Sequence, residues 1–344
     1  MDNECGRCAE SREKGHEFCT ACGRPIGQKA AAKKSTLSAA VKAVGVCVMF
    51  ACAAVLFFEA YAVIWGFGDI ISNIGDYLVT ILILTPSPAA LTYVSGTAAE
   101  LWYVFIAAAA LSSFAVLLYT SRDGLRELFK GKIDKIDDMP LYGVATIFAA
   151  VISFNIIFNI IIMASGGDPS VPDTSGPYWG QWYQYLSASV WEEVLCRVML
   201  IGLPMAVFGL MIREKGSWKR LFGRFEMSGA AVTFIFISAA IFSYGHLEGW
   251  DVYKLAPTFV SGIALGYLFV KFGIHASIMM HFLTNYLSSF DWVLGSSTGD
   301  VILALFMLGI LVFGVIFLVR YARRGVLWIA GKVSEPEKPP ETVP

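Results

Sequence analysis

Charged side chains are scarce in this sequence: Lys, Arg, Asp and Glu make up 15% of its 344 residues, whereas soluble globular domains carry about 25%. Hydrophobic residues account for 56%, above the roughly 45–50% of soluble domains. This balance excludes an ordinary soluble domain and predicts an all-α polytopic membrane protein that is surrounded by membrane lipid. The formal net charge is −1, and no nucleic-acid partner is expected.

The sequence also predicts no cleavable secretory signal. The first apolar run begins near Val41, behind a polar head, and it is too long for the apolar part of a signal peptide. Several further runs follow, and about 20 apolar residues suffice to cross a bilayer as a helix. We therefore predict about eight transmembrane helices, at 39–65, 101–120, 141–163, 182–212, 229–246, 253–270, 274–292 and 301–320.

Lys and Arg are absent from two of the connecting loops, 164–181 and 293–300. They are frequent before the first run, in the loops 122–135 and 213–224, and after the last run. Because basic loops stay in the cytoplasm, both termini are predicted to be cytoplasmic, in a multi-pass protein of the cell membrane. This assignment holds only if a weaker apolar run, 70–91, does not cross. We interpret 70–91 as an interfacial or re-entrant segment on the outer side.

The polar head contains two Cys-x2-Cys pairs, Cys5 with Cys8 and Cys19 with Cys22. Two such pairs supply the four thiolates of a tetrahedral zinc site, so we predict structural zinc in a ribbon formed by residues 1–28. The alternative is two disulfides, which would need an oxidising compartment. The rest of the chain is predicted to comprise a basic linker, a transmembrane domain and a disordered tail, at 29–38, 39–332 and 333–344.

Three ionisable side chains interrupt the apolar run 187–212: Glu192, Glu193 and Arg197. A charge at the centre of a membrane helix costs at least about 2.5–3.5 kcal/mol and is a functional-site hypothesis by default. Glu193 and Arg197 are four residues apart and can pair on one helical face. Glu192 is rotated by about 140° from Arg197 and lacks that partner. The trio is either a buried ion-pair cluster that fixes helix packing, or a site in which Glu192 is free for chemistry.

Three further polar side chains lie in apolar runs. His246 ends the run 229–246, while His281 and Asn285 lie four residues apart, on one face of the run 274–292. Packing does not require a Glu, two His and an Asn on three helices. Peptide hydrolysis does require a base for water, a second group that orients the water or holds a metal, and donors for an oxyanion. His275, beside Lys271, is interpreted as an interfacial histidine.

The order of these residues resembles the CAAX-protease and bacteriocin-processing (CPBP) family of intramembrane endopeptidases. The motifs that carry the resemblance are Glu192-Glu193-x3-Arg197, Phe242-x3-His246 and His281-x3-Asn285. The protease core would then cover 180–292. The chain departs from the family at Cys196 and Val198, where Phe and Gly are common, and these positions concern packing rather than chemistry.

The resemblance implies hydrolysis of a peptide bond in a membrane-associated or lipidated protein or peptide. It assigns Glu192 as the general base on water, His246 as the group that orients the water, and His281 and Asn285 as oxyanion donors. Glu193 would hold Arg197. Glu192, His246 and His281 also match a catalytic zinc set in number, although the HExxH spacing is absent. A metal-free glutamate mechanism fits equally well, so the sequence leaves a catalytic metal open.

Two other classes of function remain. The first is a non-enzymatic membrane protein of the same fold that acts in binding, immunity or regulation, and the intact residue set favours the enzyme over it. The second is a transporter with a proton relay, which the lack of an internal repeat disfavours. In the predicted topology the site lies in the outer half of the bilayer. That placement argues against a prenylated CAAX protein presented from the cytoplasm.

Overall fold

The computed structural model describes residues 36–85, 87–133, 136–169, 176–248 and 250–329. The chain divides into two compact units, Met1–Ala43 and Val44–Pro344. Of the first unit, only the opening of the first helix is described. The four cysteines of the predicted zinc ribbon and the predicted tail 333–344 lie outside the described residues.

The described residues form ten α-helices, one π-helix and one β-hairpin. The α-helices are α1 Thr36–Ile74, α2 Thr97–Phe129, α3 Pro140–Ala164, α4 Tyr178–Glu193, α5 Leu203–Met211, α6 Gly229–Gly245, α7 Leu255–Phe272, α8 Ile274–Asn285, α9 Ser289–Leu294 and α10 Ser296–Ile329. The π-helix, Val194–Gly202, joins α4 to α5, and the hairpin consists of β1 Val79–Thr85 and β2 Ser87–Val94. Because α1 begins at Thr36, the end of the predicted basic linker is helical.

Six helices in the described ranges are long and apolar enough to cross a membrane, which agrees with a multi-pass membrane protein. They are Ala39–Ile74, Thr97–Phe129, Pro140–Ala164, Tyr178–Met211, Val252–Phe272 and Ser296–Leu327. The apolar helix Gly229–Gly245 is shorter. The predicted span 274–292 is divided into α8, a 3-10 turn and α9, and the 12 residues of α8 reach only about 18 Å. Eight spanning helices therefore stay a prediction.

The described helices agree with the predicted all-α polytopic membrane protein, to which the hairpin adds a small sheet. The segment 70–91, interpreted as interfacial or re-entrant, contains the end of α1, strand β1 and the first part of β2. Residues up to Ile74 complete α1, and β1 and β2 then pair antiparallel from Val79↔Val94 to Thr85↔Ser87. Five of the seven residues of β1 are Val, Ile or Thr, whose branched side chains favour strands over helices. At the base of the hairpin the Gly96 amide donates to the Gly75 carbonyl oxygen at 2.8 Å.

Helix α8 is the centre of the described bundle. It packs against α2, α3, α4 and α7, and every residue from His275 to Leu283 is buried. His275 is buried in the bundle, and its Nε2 lies 3.4 Å from the Thr120 hydroxyl of α2. Its position near the membrane surface stays a prediction. A helix that is enclosed on all sides can hold polar side chains away from lipid.

Helices α6 and α7 pack tightly, and this contact positions the end of α6 beside α4. A Cβ atom added to Gly262 of α7 would lie 2.9 Å from the Ala239 Cα of α6. Only glycine permits so close an approach of the two backbones. The contact fixes the position of Ser238 and Phe242 along the axis of α6, and both residues belong to the site described next.

Candidate active site

Glu193 lies at the crossing of α4 and α8, with its side chain fully buried. The Arg197 Nε atom donates to one carboxylate oxygen at 3.1 Å. Nδ1 of His281 lies 2.9 Å from the other oxygen, and the Ser277 hydroxyl donates to the carboxylate as well. The ion pair predicted between Glu193 and Arg197 is thus present. With three donors around it, this carboxylate is committed to holding the two helices together.

Arg197 is also fully buried, and it connects the π-helix to α6. Its Nη1 donates to the Ser238 hydroxyl at 2.9 Å, and that hydroxyl donates to the Cys196 carbonyl oxygen at 2.7 Å. The guanidinium carbon lies 4.9 Å from the centroid of the Phe242 ring. A buried charge is tolerated only when it is paired and hydrogen-bonded in this way.

The Phe242 ring, on α6, contacts Arg197 and the two histidines. Its ring centroid lies 4.7 Å from that of His246 and 5.9 Å from that of His281, both in edge-to-face geometry. Such contacts orient imidazole rings and leave their nitrogen atoms able to form hydrogen bonds. Phe242 therefore sets the directions of both histidines and shields Arg197 from the cavity.

The π-helix Val194–Gly202 begins directly after Glu193. π-Helices account for well under 1% of residues and are frequent at functional sites. Pro204 follows within two residues and has no N–H to donate to the preceding turn. The wider turn shifts the helical phase, so faces calculated at about 100° per residue do not carry across this segment.

Glu192 has the opposite environment to Glu193. Its side chain is 34% exposed and lines a cavity of about 350 Å³. Its Oε2 atom is buried without a hydrogen-bond partner in the described residues, and Nε2 of His281 lies 3.9 Å from it. Within the described ranges, no Lys or Arg forms an ion pair with it. Glu192 is therefore a carboxylate that faces the cavity and has an oxygen atom without a hydrogen-bond partner.

The cavity is bounded by the hairpin and by α2, α4 and α6. Most of its surface is apolar, with few polar groups, which is typical of a site for an apolar ligand. His246, at the end of α6, faces it together with Glu192. The remaining lining residues are Thr80, Ile81, Leu82, Trp102, Tyr183, Gln184, Ser187, Ala188, Trp191, Leu195, Phe242 and Gly245.

Hydrogen bonds fix the tautomers of both histidines. Nδ1 of His246 lies 2.8 Å from the Phe242 carbonyl oxygen, and Nδ1 of His281 lies 2.9 Å from the Glu193 carboxylate. Both partners can only accept, so each Nδ1 carries a hydrogen. In the neutral rings Nε2 is then an acceptor. His246 can accept a hydrogen bond from water in this form, whereas His281 can donate to an oxyanion only when it is protonated.

Asn285 takes no part in the side-chain contacts that join the other predicted site residues in the described ranges. It ends α8, one turn beyond His281, and is half-buried. It does not line the cavity, and its side chain makes no hydrogen bond within the described part of the chain. A role in the site would require substrate that extends past His281.

The sequence left open a catalytic metal held by Glu192, His246 and His281. Among the described residues, no three His, Cys, Asp or Glu side chains form a group that could hold one ion. Nδ1 of His281 faces the Glu193 carboxylate, an arrangement that is also common for histidines that bind a metal through Nε2. A catalytic metal therefore stays an open prediction.

Ser238, Ser277 and Trp191 complete the site and were not singled out by the sequence. Ser277 is four residues before His281 and so shares its face of α8, a spacing that could have identified it. Ser238 is one of two serines in an apolar helix and carries no such signal. The Trp191 indole donates from Nε1 to the Leu82 carbonyl oxygen at 2.7 Å, a contact that depends on the hairpin.

The part of the sequence that carries the site matches a known family model. Residues 174–287, about a third of the chain, match the model described as type II CAAX prenyl endopeptidase Rce1-like. The matched segment contains every site residue from Glu192 to Asn285 and excludes the hairpin. Comparison with curated proteins and with solved structures gave no match. By its site-bearing segment, the chain is similar to the type II CAAX prenyl endopeptidases of the CPBP family, which supports a CAAX-type membrane protease.

Proposed function

We propose that the protein is an intramembrane endopeptidase that hydrolyses a peptide bond of a membrane-associated or lipidated protein or peptide, with Glu192 as the general base. The contrast between adjacent carboxylates carries the proposal. Glu193 accepts from three side chains and is enclosed, whereas Glu192 faces a cavity without a hydrogen-bond partner for its buried oxygen. A base must have room for water and a free lone pair.

The catalytic steps follow from the positions of the side chains around the cavity. Water between Glu192 and His246 would donate one hydrogen to the carboxylate and the other to Nε2 of His246, which orients its lone pair. Glu192 takes the proton as the oxygen attacks the carbonyl carbon, and returns it to the leaving amine. This general-base step is worth about 10²–10⁴-fold in rate.

The developing oxyanion needs donors on the opposite side of the carbonyl group. Glu192, Glu193 and Arg197 together leave one net negative charge, which a proton on His281 would cancel. Protonated His281 would donate from Nε2, close to Glu192. Asn285, one turn further along α8, is proposed as a second donor for substrate that reaches it.

Cleavage assays with purified, detergent-solubilised protein test this function. Three probes are compared: a farnesylated CAAX peptide, the same peptide without its lipid, and an apolar transmembrane peptide. Cleavage of any of them by the wild type, and of none by Glu192→Gln, would support the endopeptidase. Binding of a probe to both proteins without cleavage would instead favour the non-enzymatic binding protein.

The side of the membrane is a separate prediction. The exposed residues Asp168 and Lys219 lie on opposite sides if the basic loop 213–224 is cytoplasmic. In intact cells, an impermeant thiol reagent should label Asp168→Cys above the level of the parent chain and should not label Lys219→Cys. The reverse pattern would invert the topology and place the site within reach of cytoplasmic prenylated proteins.

Zinc is predicted at Cys5, Cys8, Cys19 and Cys22, independently of catalysis. Elemental analysis should find about one zinc per full-length chain and none in a chain that lacks residues 1–35. This deletion stops just before α1, which begins at Thr36. The shortened chain should retain cleavage activity. If it retains zinc, the ion is in the membrane domain and the metal-free mechanism is wrong.

A further inference from the structure

Strand β1 has two edges, and only one of them pairs with β2. Thr80, Ile81 and Leu82 line the cavity that contains Glu192 and His246. The Leu82 carbonyl oxygen accepts from the Trp191 indole of α4, which indicates that it points away from β2. Backbone groups of a strand alternate between its edges with a period of two. The register of the hairpin shifts between Ile81 and Leu82, with the extra residue, Leu91, on β2. Because the bulge lies on β2, the alternation along β1 continues across it. The N–H and C=O groups of Thr80 therefore face the same edge as the Leu82 carbonyl, and no other described strand pairs with that edge.

An open strand edge is costly inside a membrane protein. Each unsatisfied backbone group in hydrocarbon costs several kcal/mol, and irregular or unpaired backbone is tolerated only where protein covers it or where it lines a cavity. Trp191 covers one acceptor of this edge, at Leu82. The neighbouring groups, at Thr80, open onto the cavity and have room for a partner.

A substrate of the proposed endopeptidase supplies a partner of matching chemistry. A peptide bond inside a membrane helix has its N–H and C=O groups bonded within the helix, so its carbonyl carbon is shielded until that turn unwinds. Unwinding frees backbone donors and acceptors that lipid cannot satisfy. A strand edge beside the general base would satisfy them while leaving the scissile carbonyl exposed.

We infer that the substrate segment next to the scissile bond binds in extended form along β1, as a third strand that pairs with the Thr80–Leu82 edge. This inference rests on the proposed function and specifies its substrate class: an apolar segment that can become extended over about three residues, or about 10 Å. Trp191 precedes Glu192 in the chain, so its bond to Leu82 sets the distance between the edge and the base. In strand addition of this kind, hydrogen bonds between the two backbones supply the affinity. Substrate side chains are selected only at alternate positions.

N-Methylated substrates test the inference without altering the protein. The apolar transmembrane peptide is made with a single N-methyl group at each of four successive residues before the scissile bond. Strand addition predicts that KM rises about tenfold at alternate positions, where one hydrogen bond to β1 is lost, and stays within about twofold at the others. Equal effects at successive positions, or none, would overturn it.

A matched pair of variants tests the same edge from the protein side. Thr80→Pro removes the N–H that faces the cavity while leaving the pairing with β2, because edge strands accept proline where the N–H is unpaired. We expect KM to rise about tenfold for Thr80→Pro and to stay unchanged for Thr92→Val, an exposed residue of β2 outside the cavity lining, with equal thermal unfolding. An unchanged KM for both would contradict the inference, and if Thr80→Pro unfolds early the N-methyl series decides.

Failure of the proposed function can be separated from failure of this inference. If the wild type cleaves no unmethylated peptide, the endopeptidase proposal fails for that probe, and binding is followed instead by amide hydrogen exchange over residues 79–85. Slower exchange at Thr80 with the unmethylated peptide, and not with the methylated one, would keep strand addition. Unchanged exchange would refute it.

Discussion

Replacing Glu192 with glutamine is expected to lower the rate of peptide cleavage by about 10²–10⁴-fold, the contribution of a general base, while the free energy of unfolding changes by no more than about 0.5 kcal/mol. The change removes the charge and retains the shape. Stability should survive because the side chain is one-third exposed and makes no ion pair with Lys or Arg within the described ranges. Initial rates with the cleaved peptide and thermal unfolding in detergent measure the two effects.

The matched control is Glu226→Gln, which neutralises an exposed carboxylate outside the cavity. It should leave both the cleavage rate and the unfolding temperature unchanged. Wild-type activity in Glu192→Gln would remove Glu192 from the base role and leave the site as a structural ion-pair cluster.

Replacing Arg197 with methionine is expected to destabilise the protein by about 3–5 kcal/mol, because the Glu193 carboxylate then remains buried without its cation. Glu193→Gln should also destabilise, since it leaves the guanidinium unpaired. The double variant Glu193→Gln/Arg197→Met should recover part of the loss, because removing both members of a buried pair is often nearly neutral. Unfolding curves of the three variants in one detergent measure these differences.

Lys215→Met, which removes an exposed cation, is the control and should unfold as the wild type does. If Arg197→Met and Glu192→Gln unfold at the same temperature, the division between a structural and a catalytic carboxylate is wrong.

Residue spacing within one helix predicted part of the site correctly. Glu193 and Arg197 pair as their four-residue separation indicated, because the local geometry brings such side chains together in either helix type. The contacts of Glu193 with His281 and Ser277 join residues more than 80 positions apart. Their existence depends on how α4 crosses α8, and no local pattern carries that information.

The hairpin and the short central helix were missed for a common reason. An apolar run shows that a segment is buried, but a short run does not distinguish a strand from a helix. In 79–85 the branched side chains favoured a strand. The surrounding transmembrane runs led instead to the interpretation of an interfacial or re-entrant segment. In 274–292, averaging over the run concealed the break between Asn285 and Ser289 that ends α8.

The enclosure of α8 has a consequence for how the protein is made. This helix is too short to cross a bilayer alone and contains His275, Ser277 and His281, all buried in the folded chain. Helices insert first and associate afterwards, and a segment with such polar content gains stability only from neighbours that satisfy it. We therefore expect α8 to become stable in the membrane only when neighbours such as α2 and α4 are in place. Glu192 and His281 would then come together only late in the assembly of the protein.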